Sequence, residues 1–411
     1  MDTSAPRIDC TGATPPIGYH RFHPDVSINF QCNRWVQWIG PSAIGEVTDL
    51  AARAHTYPEL IEGFLVLSEQ ARAGDRTLAG AYYDRAAEFF MAASDPRRPP
   101  ARARFLDTMR TIYDVAPELV PFRSGSMPAY DLRPERQTGT TIVMFGGFDS
   151  YIEEFLPMIA SMVDTGRRVV VFEGPGQGSA LEDFGLTLIP EWEQPVGAVL
   201  DHYHLDDVAA VGISLGGGLV IRAAAFEPRI SYAVAFDILD DFFETIARQI
   251  GRGVRIPLRA LLTAHARGTV NAIADRAVSR RPVSQWGLQQ GMHITGTATP
   301  YDFLRSATVM TTRKISRLIR ADVLLLAGAD DHYVPLKQLG RQAANLPNAR
   351  SVTTRVFTAA DQASNHCQLG NIGAAARLMN AWLDLTAVQP PTDDSVFDGD
   401  TAARAPTPMR P

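Results

Sequence analysis

Among the residues able to do chemistry, one serine stands in a context that prepares it. Gly212-Ile213-Ser214-Leu215-Gly216 follows the apolar run Val208-Ala209-Ala210-Val211 and precedes a helical stretch from Gly217 to Phe226. A G-x-S-x-G between strand and helix makes a turn so tight that small residues must flank the serine, which is pushed out above the sheet. The pentapeptide alone is also a common glycine-rich turn, and the strand before it and helix after it favour the nucleophile. A serine hydroxyl attacks weakly at neutral pH, so a base must take its proton and an acid must fix that base's tautomer. The acid is expected after a later strand, and Val323 to Gly328 runs at once into Ala329-Asp330-Asp331-His332. Asp331 is the expected acid; Asp330 is the competing carboxylate, and one of the two is expected to cap the turn. Of nine histidines, only His366 lies in a loop after the last strand-like run, which makes it the expected base. His332 adjoins the acid, and chain neighbours in an extended loop point apart. His202 and His204 lack a third ligand nearby and read as a solvated helix end, so no metal is expected.

Acyl transfer puts negative charge on oxygen, which needs preorganised donors. Leu215, just after the nucleophile, supplies one backbone N–H. Thr141 to Phe145 leads into Gly146-Gly147-Phe148-Asp149-Ser150-Tyr151, where two glycines let the chain turn inward, so Phe148 is the expected second donor. An ordinary strand-to-helix turn is the plainer alternative there. Gly174-Pro175-Gly176-Gln177-Gly178 lacks the GxGxxG spacing and reads as a turn packing on the nucleophile loop, not as a dinucleotide site.

The elements that must hold these loops follow two rhythms. From Asp25 to Val115 apolar residues recur at three and four, the helical period, with a stiff break at Asp95-Pro96-Arg97-Arg98-Pro99-Pro100. From Thr140 onward come short β-branched runs, TTIVMF, RRVVVFE, VAAVGIS, YAVAFD, ADVLLLAG and SVTTRVF, separated by helical stretches. That alternation predicts an α/β fold with a mostly parallel sheet and helices on both faces. A strandless interval from about Asp237 to Arg320 exceeds a simple crossover and reads as a helical lid over the strand ends. The predicted organisation is a helical N-terminal domain over 1–112, a core over 113–239 and 321–388, a lid over 240–320, and a disordered tail over 389–411. Within the lid, Phe242, Phe243, Trp286, Met292 and Phe303 are more large apolar groups than one crossover needs, and Trp286 is the aromatic best suited to stack on a planar substrate.

Composition narrows the classes. Hydrophobic residues at 45% and charged residues at 20% argue for a folded globular chain, and a formal charge of −6 without a basic stripe argues against nucleic acid. Three scattered cysteines suggest neither a disulfide framework nor a zinc ribbon, and no apolar run is long enough for a membrane. A cytoplasmic enzyme is expected, with no cofactor. The apolar helical N-terminal region is compatible with a homodimer.

In order, GGFDSYIEEF, FEGPGQG, GISLGG, GADDHYVP and NHCQLGN resemble the α/β-hydrolase superfamily. Within it they resemble the branch with a helical N-terminal domain that includes 2,6-dihydroxypseudooxynicotine hydrolase, the fungal polyketide-shortening pigment hydrolases and FrsA-like esterases. INFQCNRW at Ile28 to Trp35 is similar to that branch too. The resemblance implies the α/β-hydrolase fold and an enzyme using Ser214, Asp331 and His366 on small-molecule carbonyl substrates, often cleaving a carbon–carbon bond beside a ketone. It also implies an extra acid near the site, for which Asp237 is the candidate among Asp237, Asp240, Asp241 and Glu244. Tyr151, Phe242 and Trp286 are the expected pocket residues. An acyltransferase or cyclase of natural-product assembly, a peptidase, and a ligand-binding pseudo-hydrolase stay open as alternatives.

Overall fold

The computed structural model describes residues 17–251, 253–278 and 282–388; the tail expected to be disordered, and the segment with Cys10, lie outside them. Two strands not anticipated from the sequence open the sheet: Glu118–Phe122 (β1) and Gly125–Leu132 (β2), an antiparallel hairpin. Pro121 and Pro128 hide them, since proline argues against a strand; Pro121 lies on the edge strand, where a missing donor is tolerated. The β-branched runs then form Ile142–Phe145 (β3), Val169–Phe172 (β4), Val208–Ile213 (β5), Ile230–Phe236 (β6), Asp322–Gly328 (β7) and Ser351–Phe357 (β8). The order is β1-β2-β4-β3-β5-β6-β7-β8, and every pair from β4 onward is parallel.

Successive residues of a strand face opposite ways, so the sheet divides the core in two. Ile142, Met144, Val169 and Val171 face one layer; Val143, Phe145, Val170 and Phe172 face the other. The first layer is built by Val26–Ile39 (α1), Ala43–Ala51 (α2), Tyr57–Ala73 (α3), Thr77–Phe90 (α4), Arg98–Ile112 (α5) and Leu156–Val163 (α6). Asp25 caps α1 by accepting from the N–H groups of Ser27 and Ile28, and Thr56 with Glu59 forms a capping box on α3, each satisfying donors that the first helical turn leaves unpaired. The proline-rich break is shorter than expected, because Pro99 and Pro100 occupy the first turn of α5, where a missing N–H costs nothing.

Gly178–Glu182 (α7), Glu193–His202 (α8) and Gly216–Phe226 (α9) follow β4 and β5. Between β6 and β7, among the described residues, lie Phe242–Ile250 (α10), Arg255–Thr263 (α11), Arg267–Val278 (α12), Pro282–Thr295 (α13) and Pro300–Ala307 (α14). Lys337–Ala344 (α15) and Ile372–Val388 (α16) complete the chain, α16 on the first layer. No described helix is long and apolar enough to cross a membrane. The loops after β3, β5, β6, β7 and β8 meet beyond the strands' carboxyl ends, where open α/β sheets bind ligands.

Candidate active site

The turn from β5 into α9 holds Ser214 at φ +60°, a left-handed backbone that a non-glycine residue keeps only where its surroundings enforce it. The Ser214 N–H donates to the Phe236 carbonyl at 2.7 Å. A Cβ on Gly212 would lie 2.0 Å from the Gly216 carbonyl oxygen, and one on Gly216 would lie 2.6 Å from that of Gly146. Both obstacles are backbone and cannot yield, which is why glycine is needed on each side of the serine.

His366 Nε2 lies 2.8 Å from Ser214 Oγ, and His366 Nδ1 lies 2.6 Å from Asp331 Oδ2. The other oxygen of Asp331 accepts from the N–H groups of Tyr333 at 2.7 Å and Val334 at 2.9 Å. One carboxylate thus both caps the turn and faces the imidazole, two tasks that the sequence divided between neighbours; Asp330 is exposed. Burial opposes charge on both partners, and their mutual attraction overcomes it. Asp331 is held below the usual carboxylate range and His366 well above the ordinary imidazole value. The His332 ring turns away and packs on Tyr333 with centroids 3.8 Å apart; burial pushes its pKa down to about 4.

Asp237, just past β6, is buried behind the imidazole rather than in front of Ser214. Its Oδ2 accepts from the Cys367 N–H at 3.0 Å and its Oδ1 from Gln368 Nε2 at 2.9 Å, while Oδ2 stands 3.7 Å from His366 Nδ1. Burial first, then the charge of Asp331, push its pKa up to about 7. Among the described residues, Asp237, Asp331 and His366 are the donors close enough to share a metal ion. Their contacts describe a proton network instead: 2.6 Å between Nδ1 and Oδ2 leaves no room for an ion, and both Asp237 oxygens already hold N–H donors.

The loop after β3 presses on the nucleophile turn, where a Cβ on Gly147 would lie 2.9 Å from Ser214 Cβ. The Gly147 N–H is engaged by Ser150 Oγ at 3.2 Å. The N–H groups of Phe148 and Leu215 have no intramolecular acceptor among the described residues, so both can receive an oxygen. The Gly174 to Gly178 turn packs on this loop rather than on the nucleophile turn, with Gln177 Nε2 donating to the Gly146 carbonyl at 2.7 Å.

A cavity of about 140 Å³ opens before Ser214, walled by Phe30 and Trp38 of α1, Phe148, Leu239, and Phe242 and Trp286 of the interval between β6 and β7. The Trp286 indole N–H donates to the Phe89 carbonyl at 2.9 Å, and its ring packs on Phe89 and Phe148 with centroids 4.6 and 5.9 Å away. Trp286→Ala is therefore expected to change the ratio of kcat/KM between aromatic and aliphatic acyl esters. A lowered melting temperature with unchanged ratios would make the side chain purely structural. Phe243 and Phe303 do not reach the cavity; they are buried in the second core layer, with Met292 packed against it.

Tyr151, expected in the pocket, does not line this cavity. It is buried beside a smaller polar one with Arg85, Glu88 and Glu182, its hydroxyl 3.3 Å from Glu88 Oε1. The turn at Ser150 carries it to the far side of Phe148. Nor do the acids after β6 face the reacting atoms. Asp240 is paired with Arg341 through Nε at 2.9 Å and also through Nη2. Glu244 takes Arg341 and Lys337 at 2.6 Å each, and Asp241 caps α10 while meeting Arg313 at 2.9 Å. Opposite charge draws these carboxylates out of the pocket. Asp240→Ala should destabilise the fold by about 1–2 kcal/mol, because the buried bonds between this carboxylate and Arg341 are lost while Glu244 still pairs with that arginine, and kcat/KM stays near wild type. Urea unfolding alongside kinetics checks both halves.

No protein-family profile matches the chain. Hydrolase acrC of Aspergillus aculeatus is 30% identical over 312 residues, covering 67% of this chain and 71% of that one. The chain belongs to the α/β-hydrolase family. The 20-hydroxy-prefusarin hydrolase FUS2 of Gibberella moniliformis is also 30% identical, over 65% of this chain and 71% of its own. The solved structure of 2,6-dihydroxy-pseudo-oxynicotine hydrolase superposes with a TM-score of 0.60 at 19% identity, over 87% of this chain and 98% of that one, so the fold is shared along nearly its whole length.

This α/β-hydrolase also brings Gln31, Arg34, Asp149 and Glu154 to the cavity, none of which was singled out from the sequence. Their signals were the INFQCNRW string for Gln31 and Arg34 and the GGFDSYIEEF string for Asp149 and Glu154. Helix α1 is buried from Ser27 through Trp38 with no solvated face, so helical periodicity cannot separate cavity-lining polar residues from packed ones.

Proposed function

We propose that this α/β-hydrolase is a serine enzyme cleaving an ester, or a carbon–carbon bond beside a ketone, in a small ketide or aromatic substrate through an acyl-enzyme on Ser214. The observation that carries the reading is the continuous relay from Ser214 through His366 to Asp331, at 2.8 and 2.6 Å, facing a mainly apolar cavity. His366 Nε2 takes the serine proton as Oγ bonds to the substrate carbonyl carbon, and the oxygen charge falls to the N–H groups of Phe148 and Leu215. Each such donor is worth about 3 kcal/mol in the transition state. Collapse breaks the bond to the leaving group, an alkoxide or an enolate carbon, which takes the proton from the imidazolium. Water, deprotonated by His366, then releases the acid and restores Ser214.

Since Asp240, Asp241 and Glu244 are tied up in ion pairs, His366 is the proton donor to a departing carbon. Asp237 acts behind it as a second carboxylate favouring the imidazolium. The lining by Phe30, Phe148, Phe242 and Trp286 supports an aromatic or ketide substrate, and the name 20-hydroxy-prefusarin hydrolase, borne by a relative, supports the same class. The test is a fluorophosphonate probe with mass mapping of the adduct, followed by product analysis on a β-diketone and its matching ester. A single adduct on Ser214 is expected. No adduct, or one elsewhere, overturns the assignment.

A further inference from the structure

Charged residues are scarce in the cavity wall. Among the described residues they are His366 beside the nucleophile and a group of three, Arg34, Asp149 and Glu154, where α1 meets the loop after β3. Glu154 is fully buried and takes one edge of the Arg34 guanidinium, with Nε at 2.5 Å and Nη2 at 2.7 Å. The remaining nitrogen, Nη1, has only long contacts: 3.3 and 3.4 Å to the two Asp149 oxygens and 3.4 Å to Gln31 Oε1. A charge-assisted N–H···O bond normally closes to about 2.7–2.9 Å. Here an arginine donor and a carboxylate stand side by side without closing on each other. Arg85 holds the Asp149 main chain through its carbonyl oxygen, while the Asp149 side chain keeps 21% of its surface exposed.

We propose that Arg34 and Asp149 form a subsite that recognises a hydroxyl group of the substrate, whether alcohol, phenol or enol. This rests on the Ser214 reading above and adds what the substrate must carry. The hydroxyl oxygen accepts from Arg34 Nη1 and its hydrogen goes to the Asp149 carboxylate, so one group satisfies both partners. Other groups satisfy only one. A ketone oxygen competes for the Arg34 N–H and brings Asp149 no new donor, and an ammonium meets Arg34. A carboxylate meets Asp149 and Glu154, whose two negative charges are balanced by Arg34 and by Arg85, 3.3 Å from Glu154, leaving no excess positive charge to hold an anion. The position also limits where the hydroxyl sits. Asp149 follows Phe148, the proposed oxyanion donor, so the group lies on the oxyanion side of the scissile carbonyl.

The test uses two series of simple esters bearing a terminal hydroxyl, methyl or carboxylate at graded lengths, one series in the acyl half and one in the alcohol half. Acid release is followed by pH-stat titration. In at least one series, at one length, the wild type should favour hydroxyl over methyl by about tenfold or more in kcat/KM, with the carboxylate poorest. Asp149→Ala should bring that ratio close to unity, and Arg34→Lys, which keeps the charge but loses the planar fork, should reduce it. No preference at any length, a preference unchanged in Asp149→Ala, or a preferred carboxylate overturns the subsite. The two readings fail separately. A Ser214→Ala variant that still hydrolyses the esters sinks the nucleophile and leaves the ratio standing, whereas an inactive Ser214→Ala beside a wild type without the ratio sinks only the subsite.

Discussion

Ser214→Ala is expected to lower kcat/KM by about 10⁴-fold or more while the protein melts at the wild-type temperature. The rate falls because no other hydroxyl or thiol holds Ser214's place on His366 Nε2, 2.8 Å from Oγ. Stability is spared because alanine meets the left-handed backbone of the elbow as serine does, and the bond from this N–H to the Phe236 carbonyl does not involve the side chain. The variant should also fail to take up the fluorophosphonate. Activity surviving at more than a few per cent would remove Ser214 as the nucleophile.

Asp331→Asn should cost about 10³-fold or more in kcat, and Asp330→Asn about twofold at most, since only Asp331 touches the imidazole. The pH profile supplies the sign. Catalysis needs neutral His366, and the Asp331 charge, against the pull of burial, raises the imidazole pKa well above its ordinary value. In the wild type kcat/KM should therefore rise with pH through an ionisation above about 6.5. Removing the neighbouring charge favours the neutral ring, so in Asp331→Asn the same limb should move to lower pH while the plateau drops. Asp237 stands 3.7 Å from the same nitrogen and should carry part of the residual rate, making the Asp331→Asn, Asp237→Asn double variant slower than Asp331→Asn alone. A double variant no slower than the single one would place Asp237 outside the relay, and the reverse ranking of Asp330 and Asp331 would transfer the acid's role.

By itself the sequence determined the strand-to-loop grammar of this α/β-hydrolase. Buried parallel strands are continuous apolar runs, so β3 to β7 stand out, while the β-branched SVTTRVF marks β8, the exposed edge strand, and with them come the loops that carry Phe148, Ser214, Asp331 and His366. The need for Gly212 is likewise local, because a Cβ there would meet the Gly216 carbonyl four residues on, whereas Gly216 is required by the Gly146 carbonyl in the loop after β3, a contact only the fold makes. Local pattern failed at the β1–β2 hairpin, where prolines mask the strand signal, and at Tyr151, whose side of the chain depends on how the loop after β3 folds over. Only the tertiary structure decided between Asp330 and Asp331, set Asp237 behind the imidazole, and drew Asp240, Asp241 and Glu244 into ion pairs with Arg341, Arg313 and Lys337. It also brought Arg34 of α1 to within 3.3 Å of Asp149, more than a hundred residues along the chain. The physical reason is the same in each case. Periodicity reports which face of an element is buried, whereas the partner of a buried charge is chosen by elements distant in sequence that pack against it.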